Sequence, residues 1–280
     1  MKRTVKTWLL IAAALMLFGA LLFGIVMSLL GWNFTKLETV TMETNIHEVQ
    51  ETFENVAVDT AAAEVRFAPA EDGRCRVECR EQQKLSHTVT VKNGTLRITA
   101  KDTRQWYDHL FNISFTSPQI TVYLPQKTYA AFTVKTVVGG IALPSGLQLQ
   151  SAILDTSTGW VYVSAAVKET LHITTTTGET CVENVTCGSL TTVGRTGGVM
   201  LKNVIVNDAM QIERNTGSVT LTDCDADTLF IKINTGSVSG HLLSEKVFIT
   251  HTNTGRVSVP QTTAGGRCEI ITNTGDITIE

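Results

Sequence analysis

Apolar residues follow two different rules along this chain. From Trp8 to Leu30 they form an unbroken run of 23 residues without a charge. Through the second half they alternate with polar residues at period two, the signature of strands with one buried face. The first pattern predicts a helix long enough, at about 1.5 Å per residue, to cross a bilayer. The second predicts β-structure, and 3.6-residue periodicity is absent beyond the apolar run.

The apolar run is preceded by Lys2, Arg3 and Lys6 and followed by Glu38 and Glu43. Under the positive-inside rule this places the N-terminus in the cytoplasm and everything from Asn33 onward outside. A cleaved signal would have a shorter apolar core and a small-x-small site after it. Gly31, Trp32, Asn33 and Phe34 offer no such site, so the reading is an uncleaved signal anchor, with a cleaved leader as the alternative. Trp8 and Trp32 stand at the two ends, where indoles favour the membrane interface.

The alternating half is a repeat. Gly139, Gly159, Gly178, Gly197, Gly217, Gly236, Gly255 and Gly275 are spaced by 20, 19, 19, 20, 19, 19 and 20 residues. Seven of the eight follow a threonine, and four carry Asn-Thr-Gly, at Asn215, Asn234, Asn253 and Asn273. Two residues after the glycine come Ile141, Val161, Val199, Val219, Val238, Val257 and Ile277, with Thr180 the exception. Five before it come Val134, Leu154, Ile173, Ile212, Ile231 and Ile270. A further apolar set, Leu171, Leu190, Met210, Leu229 and Val247, follows eleven to thirteen residues after it.

A repeat this short cannot bury its apolar side chains alone, but stacked copies bury a continuous column. The fold class is therefore all-β: a single-stranded β-solenoid, a β-helix-like stack of 19–20-residue rungs, behind one N-terminal transmembrane helix. Glycine suits a corner that needs positive φ, and the Asn and Thr beside it can stack as hydrogen-bonded ladders. Val58, Ala63, Val65 and Phe67 keep the spacing of Ile212, Gly217, Val219 and Leu221, so Asn55 to Phe67 reads as a degenerate first rung. Asn93-Gly94 before Thr95-Leu96-Arg97-Ile98 signals a hairpin.

The expected organisation is a cytoplasmic stub at 1–7 and a transmembrane signal anchor at 8–30. A linker and the start of the ectodomain occupy 31–54, an irregular β cap region 55–133, and the solenoid repeats 134–280. The cap would seal the end nearer the membrane. The last glycine lies five residues from Glu280, so the final rung is expected to leave an open edge strand through which the ectodomain self-associates weakly.

Net charge is −3, without the basic excess that nucleic-acid binding needs. Cys75 and Cys79 lie about 13 Å apart along one strand, too far for a disulfide; Cys181 and Cys187 could close a turn. Small buried hydrophobes are the reading for most of the six cysteines. Neither C-x-x-C nor a Cys/His cluster is visible, so no metal ligand and no cofactor is assigned. Asp223-Cys224-Asp225-Ala226-Asp227 resembles the start of a calcium loop but has Thr228 and Asn234 where glycine and an acid belong. The histidines share no repeat phase and read as solvated or corner residues. Glu179, Asp223 and Asp276 do not recur at one offset, so no catalytic residue is assigned and the protein is not expected to be an enzyme. Trp106, Tyr107 and Phe111, with His109 and Leu110, form an aromatic cluster that either plugs the core or contacts a partner.

The rungs of the type Asn215-Thr216-Gly217-Ser218-Val219, the strand end Leu124-Pro125, and the opening Val56-Ala57-Val58-Asp59-Thr60 through Val65 resemble the bacterial "putative adhesin" family of β-strand-repeat envelope proteins, over about residues 45–280. The resemblance implies a β-solenoid on the outer face of a bacterial membrane, without recognised catalytic residues, and no functional residue carries over. The expected function is a structural or interaction module of the cell envelope, with an envelope protein or a cell-wall or surface ligand as partner. The alternatives are the ectodomain of an envelope-stress sensing system and, more remotely, a carbohydrate-active β-helix enzyme.

Overall fold

The computed structural model describes residues 3–37, 41–105 and 116–280. They divide into two units, the first holding the described residues within 1–41 and 104–116 and the second 42–103 and 117–280.

In the first unit, α1 spans Arg3–Leu29. Its stretch Val5–Leu29 contains an 18-residue window with a mean hydropathy of 2.8 and is long and apolar enough to cross a membrane. The helix ends because Gly31 takes φ +65°. The Trp32 amide then donates to the Met27 carbonyl at 2.8 Å and the Gly31 amide to Ser28 at 3.2 Å, closing a Schellman motif.

The second unit is all β. Its first strands are β1 (Met42–Val49), β2 (Asn55–Ala62), β3 (Glu64–Pro69), β4 (Cys75–Gln82), β5 (Leu85–Lys92), β6 (Thr95–Asp102) and β7 (Gln119–Leu124). The glycine repeats supply β8 (Thr128–Val138), β9 (Ile141–Leu143), β10 (Gln148–Thr158), β11 (Val161–Val163), β12 (Ala166–Thr177), β13 (Thr180–Cys187) and β14 (Ser189–Thr196). They continue with β15 (Val199–Thr216), β16 (Val219–Thr235), β17 (Val238–Leu242), β18 (Lys246–Thr254), β19 (Val257–Ser258), β20 (Gly266–Thr274) and β21 (Ile277–Ile279).

These strands stack into the two faces of a β-solenoid. One face runs β5–β6–β2–β8–β10–β12–β14–β15–β16–β20–β18. The other runs β1–β4–β7–β3–β9–β11–β13–β15–β16–β17–β21–β19. Pairing is parallel throughout except at one end, where β1, β4 and β5 run antiparallel to their neighbours.

The repeat phase read from the sequence is the physical register. Val58, Val134, Leu154, Ile173, Ile212, Ile231 and Ile270 form one buried column, and Val65, Ile141, Val161, Val199, Val219, Val238 and Ile277 another. Each such side chain contributes roughly 1.5–3 kcal/mol on burial. Asn55 to Phe67 is a rung as expected, with Val58 opposite Val134 and Val65 opposite Ile141. It is not the terminal one, because β6 and β7 form a further parallel layer on it. The hairpin at Asn93-Gly94 is present, with φ of +51° and +68°.

Two expectations are corrected. Val247 is 37% exposed and Phe248 occupies the buried column opposite Cys268, because the rung runs twelve residues past Gly236, not eleven. The final rung is not the open edge. β20 and β21 each pair on both sides, inserted between the Gly236 and Gly255 rungs, so the exposed edge is the penultimate rung, β18 and β19.

Candidate functional site

The corners explain the glycines. All eight repeat glycines have φ between +131° and +156°. A Cβ on Gly217 would lie 2.2 Å from the Gly197 carbonyl oxygen, and the neighbouring glycines stack against one another in the same way. Beside them runs the expected asparagine ladder, Asn215–Asn234–Asn273–Asn253. A second ladder lies at another corner, where Asn184, Asn203 and Asp223 all have positive φ. Asn203 donates to Asn184 at 3.0 Å and Asp223 lies 2.9 Å from His241 Nδ1. On the core side, Thr156, Thr252 and Thr272 donate to carbonyls of the corner glycines, and Thr136 to that of Ala63, which holds the corner in the Asn55–Phe67 rung. These groups stabilise rungs and present no convergent chemistry.

Polar groups do converge inside the antiparallel end. Cys79 and Glu81 are two apart on β4, so both point inward. The chain then crosses from one face to the other between Gln82 and Leu85, which turns His87 on β5 toward them. His87 Nδ1 lies 2.7 Å from Glu81 Oε2, with both side chains 2% exposed. The other ring nitrogen, Nε2, lies 2.8 Å from Thr60 Oγ1 on β2. Asn45 on β1 donates to Glu81 Oε1 at 2.7 Å. Ligand atoms of Cys79, Glu81 and His87 all lie within 4.8 Å of one another. Burial, and then the charge of Glu81, push the Cys79 thiol up to about 12.

The order Thr60–His87–Glu81 is that of a nucleophile, base and orienting acid. Thr60 is 3% exposed, so no substrate reaches its hydroxyl in this conformation. With the proton on Nδ1, the ring donates to Glu81 and accepts from Thr60. A buried carboxylate needs such partners, because desolvating it alone costs several kcal/mol, on the order given for buried ions.

Two further buried cations interrupt the solenoid. Arg214 replaces the inward threonine of its rung and donates from Nη2 to Thr180 Oγ1 at 2.9 Å. It fits because Gly194 faces it, where a Cβ would come within 2.2 Å of Nη1. Burial lowers its guanidinium to about 10, and no carboxylate pairs with it among the described residues. A groove of about 420 Å³ beside it is lined by Glu213, Lys232, Asn234, His251 and Asn273. Lys246, 4% exposed, lies 2.7 Å from Asp225 and donates to Ser244. Burial opposes the Asp225 charge, yet hydrogen bonds from Lys246 and Ser244 hold its carboxyl below the usual range. The segment from Asp223 to Asp227 thus serves as a rung corner.

Of the residues singled out in the sequence, Trp106, Tyr107, His109, Leu110 and Phe111 lie outside the described residues. His87 is corrected from a solvated residue to a buried one, and the Cys/His grouping that spacing did not show is formed by the crossover between β4 and β5. Cys181 and Cys187 do not pair: all six cysteines are free, Cys187 is buried, and Cys181 donates to Glu183 at 3.7 Å. The signal for the cluster was Cys79-x-Glu81 on the inward phase of an alternating strand, where an acid is out of place.

Residues 53–280 match the family model described as Toastrack DUF4097. Among solved structures, the chain is similar to a protein of Parabacteroides distasonis described as a "putative adhesin", at 15% identity over 86% of this chain and 98% of that one, with a TM-score of 0.55. A second protein of that organism, described as a "putative lipid binding protein", is 15% identical over 85% and 97%, with a TM-score of 0.52. At these identities the likeness is one of fold. No curated protein matches the sequence.

Proposed function

The chain belongs to the Toastrack DUF4097 family, and from that premise we propose that it is a bacterial envelope protein whose β-solenoid is displayed outside the membrane on a single uncleaved anchor, as a non-enzymatic structural and interaction module. The observation that carries the reading is the joining of an apolar, span-length α1 to a family solenoid in one chain. Lys2, Arg3 and Lys6 ahead of the helix support a cytoplasmic N-terminus. The solenoid's side-chain ladders are spent on holding rungs together, which supports a scaffold over a catalyst. The description of a similar structure as a "putative adhesin" agrees with a surface-facing role.

Topology tests this directly. The full-length protein carrying a C-terminal tag should resist alkaline extraction from membranes, and protease added outside intact spheroplasts should remove the tag. Release of a chain shortened by its first 30 or so residues would show a cleaved leader, and a protease-protected tag would place the solenoid inside; either result overturns the proposal.

A further inference from the structure

We propose that Cys79 Sγ, Glu81 Oε2 and His87 Nδ1 form a binding site for one divalent metal ion of the zinc class, inside the antiparallel end of the solenoid. The site is independent of where the protein resides.

The donor set is that of a borderline-soft cation. Thiolate, imidazole and carboxylate together suit zinc, whereas calcium and magnesium take oxygen cages. The ligand atoms already lie within 4.8 Å of one another. Around zinc at about 2.0–2.3 Å, ligand atoms stand about 3.3–3.6 Å apart. His87 and Glu81, now 2.7 Å apart, therefore open by less than about 1 Å, a side-chain adjustment.

The surroundings are what such a site requires. Metal-bound imidazoles donate their second N–H, and ligating carboxylates are held by further hydrogen bonds. Here Thr60 Oγ1 lies 2.8 Å from Nε2 and Asn45 grips the carboxylate oxygen left over. On binding, the ring proton passes to Nε2 and Thr60 becomes its acceptor. The Cys79 thiol gives up its proton to solvent, so one proton leaves per ion bound. Thiolate and carboxylate then balance the two charges of the metal, leaving no net charge in the core. A fourth position is left for water or another donor, as in three-ligand zinc sites. The three ligands span β4 and β5, so the ion would tie the crossover between the two faces.

The test uses the full-length protein in detergent, stripped with a chelator and titrated with Co²⁺, whose thiolate complexes absorb in the near ultraviolet. The folded wild-type protein should give thiolate–cobalt absorption that saturates at about one ion per chain and is displaced by Zn²⁺. Cys268→Ser, at a distant core cysteine, should keep the signal; Cys79→Ser and His87→Gln should abolish it; and Thr60→Val should weaken binding about 10–100-fold. If Cys79→Ser fails to fold, the wild-type titration still decides. A folded wild-type protein without saturable thiolate absorption overturns the site, as does a signal lost in Cys268→Ser and kept in Cys79→Ser.

Discussion

Asn273 Nδ2 donates to Asn234 Oδ1 at 3.0 Å, a bond across 39 residues, where the ladder bond from Asn234 to Asn215 crosses 19. The chain builds its Gly255 rung one place too far from the Gly236 rung, then returns and fills the gap with its last segment. β20 lies between β16 and β18, and β21 between β17 and β19. The C-terminal residue is tied in as well, with the Glu280 amide donating to Gly240 at 2.9 Å.

That insertion sets what a truncation does. Removing residues 261–280 takes away Cys268, Ile270, Ile277 and Ile279, all buried, and strips β18 and β19 of the strands they pair with. Each lost side chain costs roughly 1.5–3 kcal/mol. Hydrogen exchange should show β18 amides losing protection in the truncated chain. Retained protection in β18 would mean that it pairs directly with β16.

The corner geometry distinguishes two neighbouring classes of glycine. Gly217→Ala places a Cβ 2.2 Å from the Gly197 carbonyl oxygen at φ +142° and should destabilise by about 3 kcal/mol or more. Gly198→Ala meets its nearest atom at 3.4 Å, outside the left-handed region, and should stay within about 1 kcal/mol of wild type. Urea midpoints measure both, and equal losses would remove the stacked-carbonyl explanation.

The columns were legible because every rung repeats one offset, so Val199 and Val219 announce the register that pairs them. The order of the last rungs was hidden for the same reason. The Gly255 and Gly275 rungs carry the same Asn-Thr-Gly, and either fits beside Gly236. One mark was present: Pro260 follows the short strand Val257–Ser258, and proline belongs at sheet edges. The Cys79, Glu81 and His87 cluster was hidden in another way, marked only by the inward-phase acid of Cys79-x-Glu81. Its members come from two antiparallel strands that follow no repeat, and only the crossover at Gln82–Leu85 brings them together.

Buried thiols give the fold an alkaline limit. Burial raises Cys187 to about 11 and Cys268 to about 12, above their value of 9.0 in a free chain. Below pH 9 both states hold these protons and the contribution is complete; above it the unfolded chain ionises first, and the contribution is lost as pH climbs through 11 and 12. Urea midpoints should therefore fall steeply above pH 9. Cys187→Ala should begin about 1–2 kcal/mol lower at neutral pH and decline less steeply. Parallel curves for the two proteins would refute the assignment to the thiol.

Among the described residues, the glycine-repeat end of the solenoid leaves β18 and β19 as an open edge, and it is poorly defended. Each pairs on one side only, so a row of backbone donors and acceptors is left without strand partners. Val247, Ile249 and Val257 are exposed along it at 37%, 47% and 44%. Lysines usually guard such edges, but Lys246 is turned inward to Asp225. We expect the protein to self-associate weakly through this rung. Sedimentation of the full-length protein in detergent should show a monomer–dimer equilibrium at high concentration, and Ile249→Lys should shift it to monomer without changing the unfolding free energy by more than about 0.5 kcal/mol. A strict monomer at every concentration, or a dimer untouched by Ile249→Lys, would show that the edge is not the contact.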